Sequence, residues 1–165
     1  MQIALYILTI LLTIILMECV AWANHKFIMH GFLWNIHKDH HEKHNKTLEN
    51  NDFFSFIYAI PSIFLIVNGT TGGSKYGMMI GIGVAIYGLI YTLVHEGFIH
   101  QRLRIFSKKT YNIYFNALRK GHWAHHAKGT SKQYNHKHDV SFGMLLVPFK
   151  YFKEAIKESK KVKNN

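Results

Sequence analysis

His25-Lys26-Phe27-Ile28-Met29-His30 and then His37-Lys38-Asp39-His40-His41 follow directly on an apolar run from Ile3 to Ala23. The same order returns later in the chain. The apolar stretch Tyr76–Val94 runs into His95-Glu96-Gly97-Phe98-Ile99-His100, and His122-Trp123-Ala124-His125-His126 comes after it. In shorthand, HxxxxH and then HxxHH stand behind two separate apolar segments. This repetition decides the fold class, because it joins segments of membrane length to clusters of metal-type ligands.

The apolar segments set the architecture. Ile3–Ala23 carries no charge before Glu18, and about twenty such residues cross the hydrocarbon core as a helix. Phe53–Val67 is shorter and contains Pro61, so a kink or an extension by flanking residues is expected. Tyr76–Val94 contains Gly77, Gly81, Gly83 and Gly88. Gly81-Ile82-Gly83 lies inside an apolar helix with no strand before it, which favours close helix packing over a dinucleotide loop. Ala21-Trp22-Ala23 resembles a signal-peptidase site and Leu16-Met17-Glu18-Cys19 a lipoprotein box. Both need a positively charged start, and Met1–Tyr6 has no charge, so the first span is read as a retained helix.

Charge orients these spans. Of twenty Lys and Arg, nineteen lie in Lys26–Lys46 or after Val94, and only Lys75 lies between the second and third spans. The positive-inside rule places Asn24–Asp52 and everything after Val94 in the cytoplasm, with the N-terminus outside. The expected fold is therefore all-α: one integral-membrane domain over residues 1–165, with about three to four spans and a cytoplasmic, histidine-rich di-metal cap. The +11 formal charge of the 165-residue chain does not signal nucleic acid, because the basic residues alternate with spans and histidine clusters and no nucleic-acid module is visible. The single cysteine, Cys19, excludes an intrachain disulfide and cannot hold an iron–sulfur cluster.

All thirteen histidines fall in the two regions assigned to the cytoplasm, and ten of them form the duplicated pattern. On a helix, positions i, i+3 and i+4 share a face, so each HxxHH offers three imidazoles from one surface. Positions i and i+5 differ by roughly 140° of rotation and about 7.5 Å of rise on an α-helix. That spacing suggests two metals side by side rather than one gripped by a single face. The candidate ligands are His25, His30, His37, His40, His41, His95, His100, His122, His125 and His126. His44, His136 and His138 are read as solvated or supporting groups, with His44 extending the His40/His41 face. Asp39, Glu42, Asp52 and Glu96 are placed to accept hydrogen bonds from the rings.

Imidazole suits zinc, copper, iron and nickel. A structural zinc needs only four ligands, a zinc-protease helix needs its second His at i+4, and the Glu-x-x-His motif of soluble di-iron proteins is missing from the chain. An all-histidine pair of irons remains, as in membrane oxygenases and desaturases.

The order HxxxxH, HxxHH, HxxxxH, HxxHH resembles the membrane fatty-acid hydroxylase superfamily. The stretches His25–Trp34, His37–His41, Asn51–Phe54, His95–Arg102, His122–Ala127 and Val140–Gly143 are similar to the bacterial β-carotene 3-hydroxylases, whereas Gln133–His138 departs from that pattern. The resemblance implies two Fe²⁺ ions on the ten histidines, O₂ as co-substrate and electrons from a separate ferredoxin-type donor. It also implies a carotenoid substrate dissolved in the bilayer, hydroxylated at C-3 of each β-ionone ring to β-cryptoxanthin and then zeaxanthin. A bacterial cytoplasmic membrane is the implied location. The glycine-rich third span is expected to leave an apolar cleft for a rigid polyene. Arg102–Lys109 with Arg119 and Lys120 are candidates to dock an acidic donor. Lys150–Lys157 reads as an amphipathic helix lying on an anionic membrane. A sister lipid oxygenase (a carotenoid ketolase, or a fatty-acid or sterol hydroxylase or desaturase) shares these motifs. A non-enzymatic metal-binding membrane protein is the alternative from another class, although a transporter would place polar ligands at the bilayer midplane.

Overall fold

The computed structural model describes residues 1–42, 48–107, 110, 112–128 and 141–163. His44, His136, His138 and the rest of Gln133–His138 lie outside the described residues. Among the described residues six α-helices follow one another: α1 (Gln2–Ala23), α2 (Trp34–His41), α3 (Phe53–Thr70), α4 (Lys75–Tyr91), α5 (Ile113–Lys128) and α6 (Phe149–Lys163). No strand occurs among the described residues. With their flanking turns, three segments are long and apolar enough to cross a membrane: Gln2–Phe32, Asn50–Thr70 and Lys75–Ile99.

α4 packs on both α3 and α1. Leu5, Leu8, Leu12, Ile15 and Leu16 of α1, with Phe56, Ile60, Ile63 and Phe64 of α3, point outward, as side chains facing lipid do. α3 runs unbroken through Pro61 and gains a 3₁₀ turn, Asn50–Asp52, at its start. The glycines of α4 serve close packing. A Cβ at Gly81 would stand 2.7 Å from the Ser62 carbonyl oxygen, and one at Gly83 would stand 2.7 Å from Thr13 Cβ. Ser62 Oγ donates to the Gly81 carbonyl at 2.7 Å. The expected cleft along this span is therefore closed at Gly81 and Gly83, because neighbouring helices already occupy the space. Among the glycines of α4, only at Gly88 would a Cβ meet open space.

Glu18 is buried in α1, where insertion scales charge about 2.5–3.5 kcal/mol for an acidic residue at the centre of a span. It offsets that cost by accepting hydrogen bonds from Tyr87 Oη of α4 and from three backbone N–H groups at Met144, Leu145 and Leu146.

Both long spans change winding as they leave the apolar zone. Asn24–Phe32 and Thr92–Ile99 are π-helical, with i→i+5 hydrogen bonds such as His100 N–H to the His95 carbonyl at 2.8 Å. Gly31 leaves helical geometry (φ −96°, ψ −120°), and the chain turns there into α2. α5 and α6 pack together over Ala117, Tyr151 and Ala155. The apolar face expected to lie on the membrane is thus partly occupied by α5, while Phe149 and Ile156 stay exposed.

Candidate metal centre

The π-helical winding decides how each HxxxxH works. An i→i+5 hydrogen bond aligns residues five apart, which an α-helix would leave on different faces. The His25 and His30 rings lie 5.1 Å apart between centroids, and His95 and His100 lie 4.5 Å apart. The expectation that such a pair spans two metals is corrected at His25 and His30, which enter the same group.

The HxxHH elements divide differently. His25, His30, His37, His41 and His125 each bring one ring nitrogen within 4.8 Å of all the others, and His40, His100, His122 and His126 do the same in a second group. In each motif the i and i+4 histidines join one group, and the i+3 histidine crosses to the other. His40 therefore leaves α2's own cluster and His125 leaves α5's. The three imidazoles of an HxxHH do not act as one ligand face, since on an α-helix position i+3 points about 60° to one side of i and about 100° away from i+4. His95 is the tenth. Its ring lies 4.7, 4.5 and 4.8 Å from those of His40, His100 and His122, the place His25 holds in the first group by the duplication. The groups touch where the His41 and His126 rings stack at 4.4 Å.

Acceptors behind the rings set their tautomers. His25 Nδ1 donates to the Phe142 carbonyl at 3.0 Å, and His37 Nδ1 to Asn51 Oδ1 at 2.6 Å. His40 Nδ1 donates to Glu49 Oε2 at 2.8 Å, and His95 Nδ1 to Glu96 Oε1 at 2.5 Å. Of the four acids expected as acceptors, Glu96 serves a histidine. Asp39 takes the Asn50 N–H instead, Asp52 holds Arg102, and Glu42 is exposed. Glu49 and Asn51 are not among the expected acceptors. Both belong to the short turn before α3, and the Asp39–Asn50 bond ties that turn to α2. Arg102 completes the layer by donating to Glu96 at 2.8 Å and to both oxygens of Asp52 at 3.0 and 2.7 Å. Gln101, at φ 60°, supplies the left-handed turn that brings Arg102 back, and its amide covers the Gly97 and Phe98 carbonyls.

With Nδ1 donating outward, each Nε2 presents a lone pair inward. His25 Nε2 faces His37 Nε2 at 3.2 Å, and both rings have already used their proton at Nδ1. His100 Nε2 and His122 Nε2 lie 2.7 Å apart. His40 Nε2 and His126 Nε2 are buried without a hydrogen-bond partner. Protonation would not relieve this crowding, since burial, joined by repulsion from neighbouring imidazoles, lowers His126 to about 3 and pushes His37, His122 and His125 well below their ordinary value. Converging lone pairs on neutral, buried imidazoles are the donor set of a metal ion. The histidine clusters fit metal binding.

A family model for fatty acid hydroxylases matches residues 10–145. The chain belongs to the fatty acid hydroxylase family. Among curated relatives of this family member, a beta-carotene hydroxylase of Paracoccus sp. (strain PC1) is 36% identical over 146 residues, covering 86% of this chain and 83% of the relative. A beta-carotene hydroxylase of Pantoea ananas is 38% identical over 143 residues, covering 86% and 77%. The chloroplastic beta-carotene hydroxylase 2 of Capsicum annuum is 32% identical over 133 residues, covering 77% and 39%. No solved structure matches the chain.

An apolar cavity of about 350 Å³ opens onto the histidines of this hydroxylase-family site. His25, His37, His40 and His95 form its inner end, and Met17, Ala21, Phe54, Val84 and Gly88 are among its walls. Ser55, Ala59 and Ile63 line it and are exposed on α3, a helix within a segment long and apolar enough to cross a membrane.

Proposed function

We propose that this chain is a β-carotene 3-hydroxylase, acting on carotenoid dissolved in the membrane. The observation that carries the reading is the apolar cavity, which leads from the lipid-facing side of α3 to the inner ends of both histidine clusters. A polyene about as long as the bilayer core is thick, roughly 30 Å, keeps its end ring near the interface where these clusters sit. Similarity to bacterial relatives named beta-carotene hydroxylases selects this substrate among bilayer lipids.

Two Fe²⁺ ions would be held by His25, His30, His37, His41 and His125, and by His40, His95, His100, His122 and His126. The irons would supply the activation of O₂ that no side chain can perform. The reaction inserts one oxygen atom into a ring C–H bond at C-3, while two electrons and two protons convert the other to water. The protein's part is positional. The cavity walls hold the ring against the inner ends of His25, His37, His40 and His95 and exclude water, while Glu49, Glu96, Asn51 and the Phe142 carbonyl keep the ring nitrogens aimed inward. The electrons come from a separate ferredoxin-type protein, since a single cysteine cannot hold a cluster. The distribution of lysines and arginines supports a cytoplasmic position for the clusters in a bacterial cytoplasmic membrane. Exposed Phe149 and Ile156 of α6, set among lysines, support a surface contact with anionic lipid.

Expression in a β-carotene-producing bacterial cell, with pigment chromatography, tests the substrate. β-Cryptoxanthin should form first and zeaxanthin later. Echinenone or canthaxanthin would instead make the chain a ketolase. Unchanged β-carotene beside a hydroxylated fatty acid or sterol would move it to another branch of the family.

A further inference from the structure

Glu18 lies within a membrane-length apolar segment and takes no part in the proposed reaction. Glu18 is 5% exposed within α1. One of its oxygens, Oε1, accepts the N–H groups of Met144, Leu145 and Leu146 at 2.9, 2.8 and 2.9 Å. Its other oxygen accepts from Tyr87 Oη at 2.8 Å. Successive backbone N–H groups converging on one point form an anion-binding nest, and here the chain supplies its own anion. Gly143 keeps the approach open: a Cβ there would lie 2.8 Å from Glu18 Oε1 and 2.5 Å from the Leu146 carbonyl oxygen.

The gripped turn begins at Phe142. Its carbonyl accepts the His25 Nδ1 proton, and its ring packs 5.6, 5.5 and 5.1 Å from those of His25, His30 and His125. All three belong to the first histidine group. The carboxylate acceptors of the second group, Glu49 and Glu96, sit on other elements. Phe142 and Met144 also line the apolar cavity beside His25.

We propose that Glu18 is a positioning residue for the first histidine group. By holding residues 143–146, it sets the Phe142 carbonyl that keeps His25 protonated at Nδ1 and turns His25 Nε2 toward the metal. A tether between α1 and a turn 126 to 128 residues further along the chain thereby tunes one of two sites selectively. The proposal rests on the two-metal reading.

The test uses the full chain in lipid nanodiscs and Co²⁺ alone as the probe, read by equilibrium binding and ligand-field absorption. Wild type should take up about two equivalents. Glu18→Ala should keep one tight equivalent and weaken the other about 10–100-fold, the range for partners behind metal ligands. The change should appear in one set of ligand-field bands only. His25→Ala should weaken the same equivalent, and the double variant should be less impaired than the sum of the two losses, as coupled groups are. Glu18→Gln keeps an oxygen for the three N–H groups and should stay near wild type. If Glu18→Ala fails to insert, Gly143→Ala decides, because it shifts the turn while leaving the carboxylate; the same single-site loss is expected. Two wild-type equivalents in Glu18→Ala, or in Gly143→Ala where Glu18→Ala does not insert, equal weakening of both sites, or strictly additive losses would overturn the positioning role. Fewer than two equivalents in wild type would instead remove the two-metal reading itself.

Discussion

The two histidine groups are twins in sequence and unequal in structure. The first gathers five mutually close nitrogens and is backed by neutral acceptors, the Asn51 amide and the Phe142 carbonyl. The second gathers four, with His95 beside them, and is backed by the carboxylates of Glu49 and Glu96 under Arg102. A charged acceptor strengthens the hydrogen bond it receives and makes the imidazole a better donor to metal. The duplication thus sets the number of histidines, while the surroundings make the two groups chemically distinct. On the proposed two-metal reading, inequivalent sites suit a reaction whose oxygen atoms meet different fates.

The largest expected effect comes from removing one ligand at a time. His37→Ala and His122→Ala should each lower hydroxylation to background. Each should leave about one metal equivalent, since a methyl group cannot replace a ligand. The remaining equivalent should belong to the opposite group in the two variants, by absorption of the Co²⁺ form. Near-normal product from either variant would break the ligand assignment.

Acidification should act on both groups. His41 of the first is lowered from 6.5 to about 2 and His126 of the second to about 3, each by burial first and neighbouring imidazoles second. The unfolded chain binds protons near 6.5 and the folded chain does not. Stability from these rings is therefore full above about 6.5 and lost as the pH falls toward about 3. Metal retention should follow the same direction, because protons compete for the ligands. Thermal unfolding and bound metal measured from pH 7.5 down to 5 check this; a group that keeps its metal unchanged at pH 5 would show the twins to be more unequal than their burial suggests.

Changes behind the ligands should be smaller and should sort by group. Glu96→Ala and Asn51→Ala are each expected to weaken one metal equivalent about 10–100-fold, Glu96→Ala the more because a charged acceptor is lost. Equal effects on both equivalents from either variant would erase the distinction between the two layers.

The smallest effect concerns the cavity shared by both groups. Gly88→Leu fills open space at the cavity wall and should lower turnover several-fold, on the order of one lost methylene-sized contact or more, with metal content unchanged. Gly81→Leu strikes packed backbone instead and should destabilise by about 1–3 kcal/mol. Turnover assays beside metal analysis separate the two outcomes.

The order of residues alone determined the spans, the ten clustered histidines and the family resemblance. Hydropathy and ligand chemistry are local properties, readable from Ile3–Ala23 or from His122–His126 without knowledge of any neighbour. Only the tertiary structure decided that His25 and His30 share a group, because π-helical winding of that segment does not follow from the HxxxxH spacing, which an α-helix would present differently. It also decided that His40 and His125 cross between groups, since a ring's partner depends on how α2 and α5 face each other. The roles of Glu49, Asn51, Arg102 and Glu18 belong with these. Each is an ordinary polar residue in its own stretch and acquires its function from a contact that only the packing of distant elements creates, Glu18 most of all, since its partners Met144–Leu146 lie at the other end of the chain.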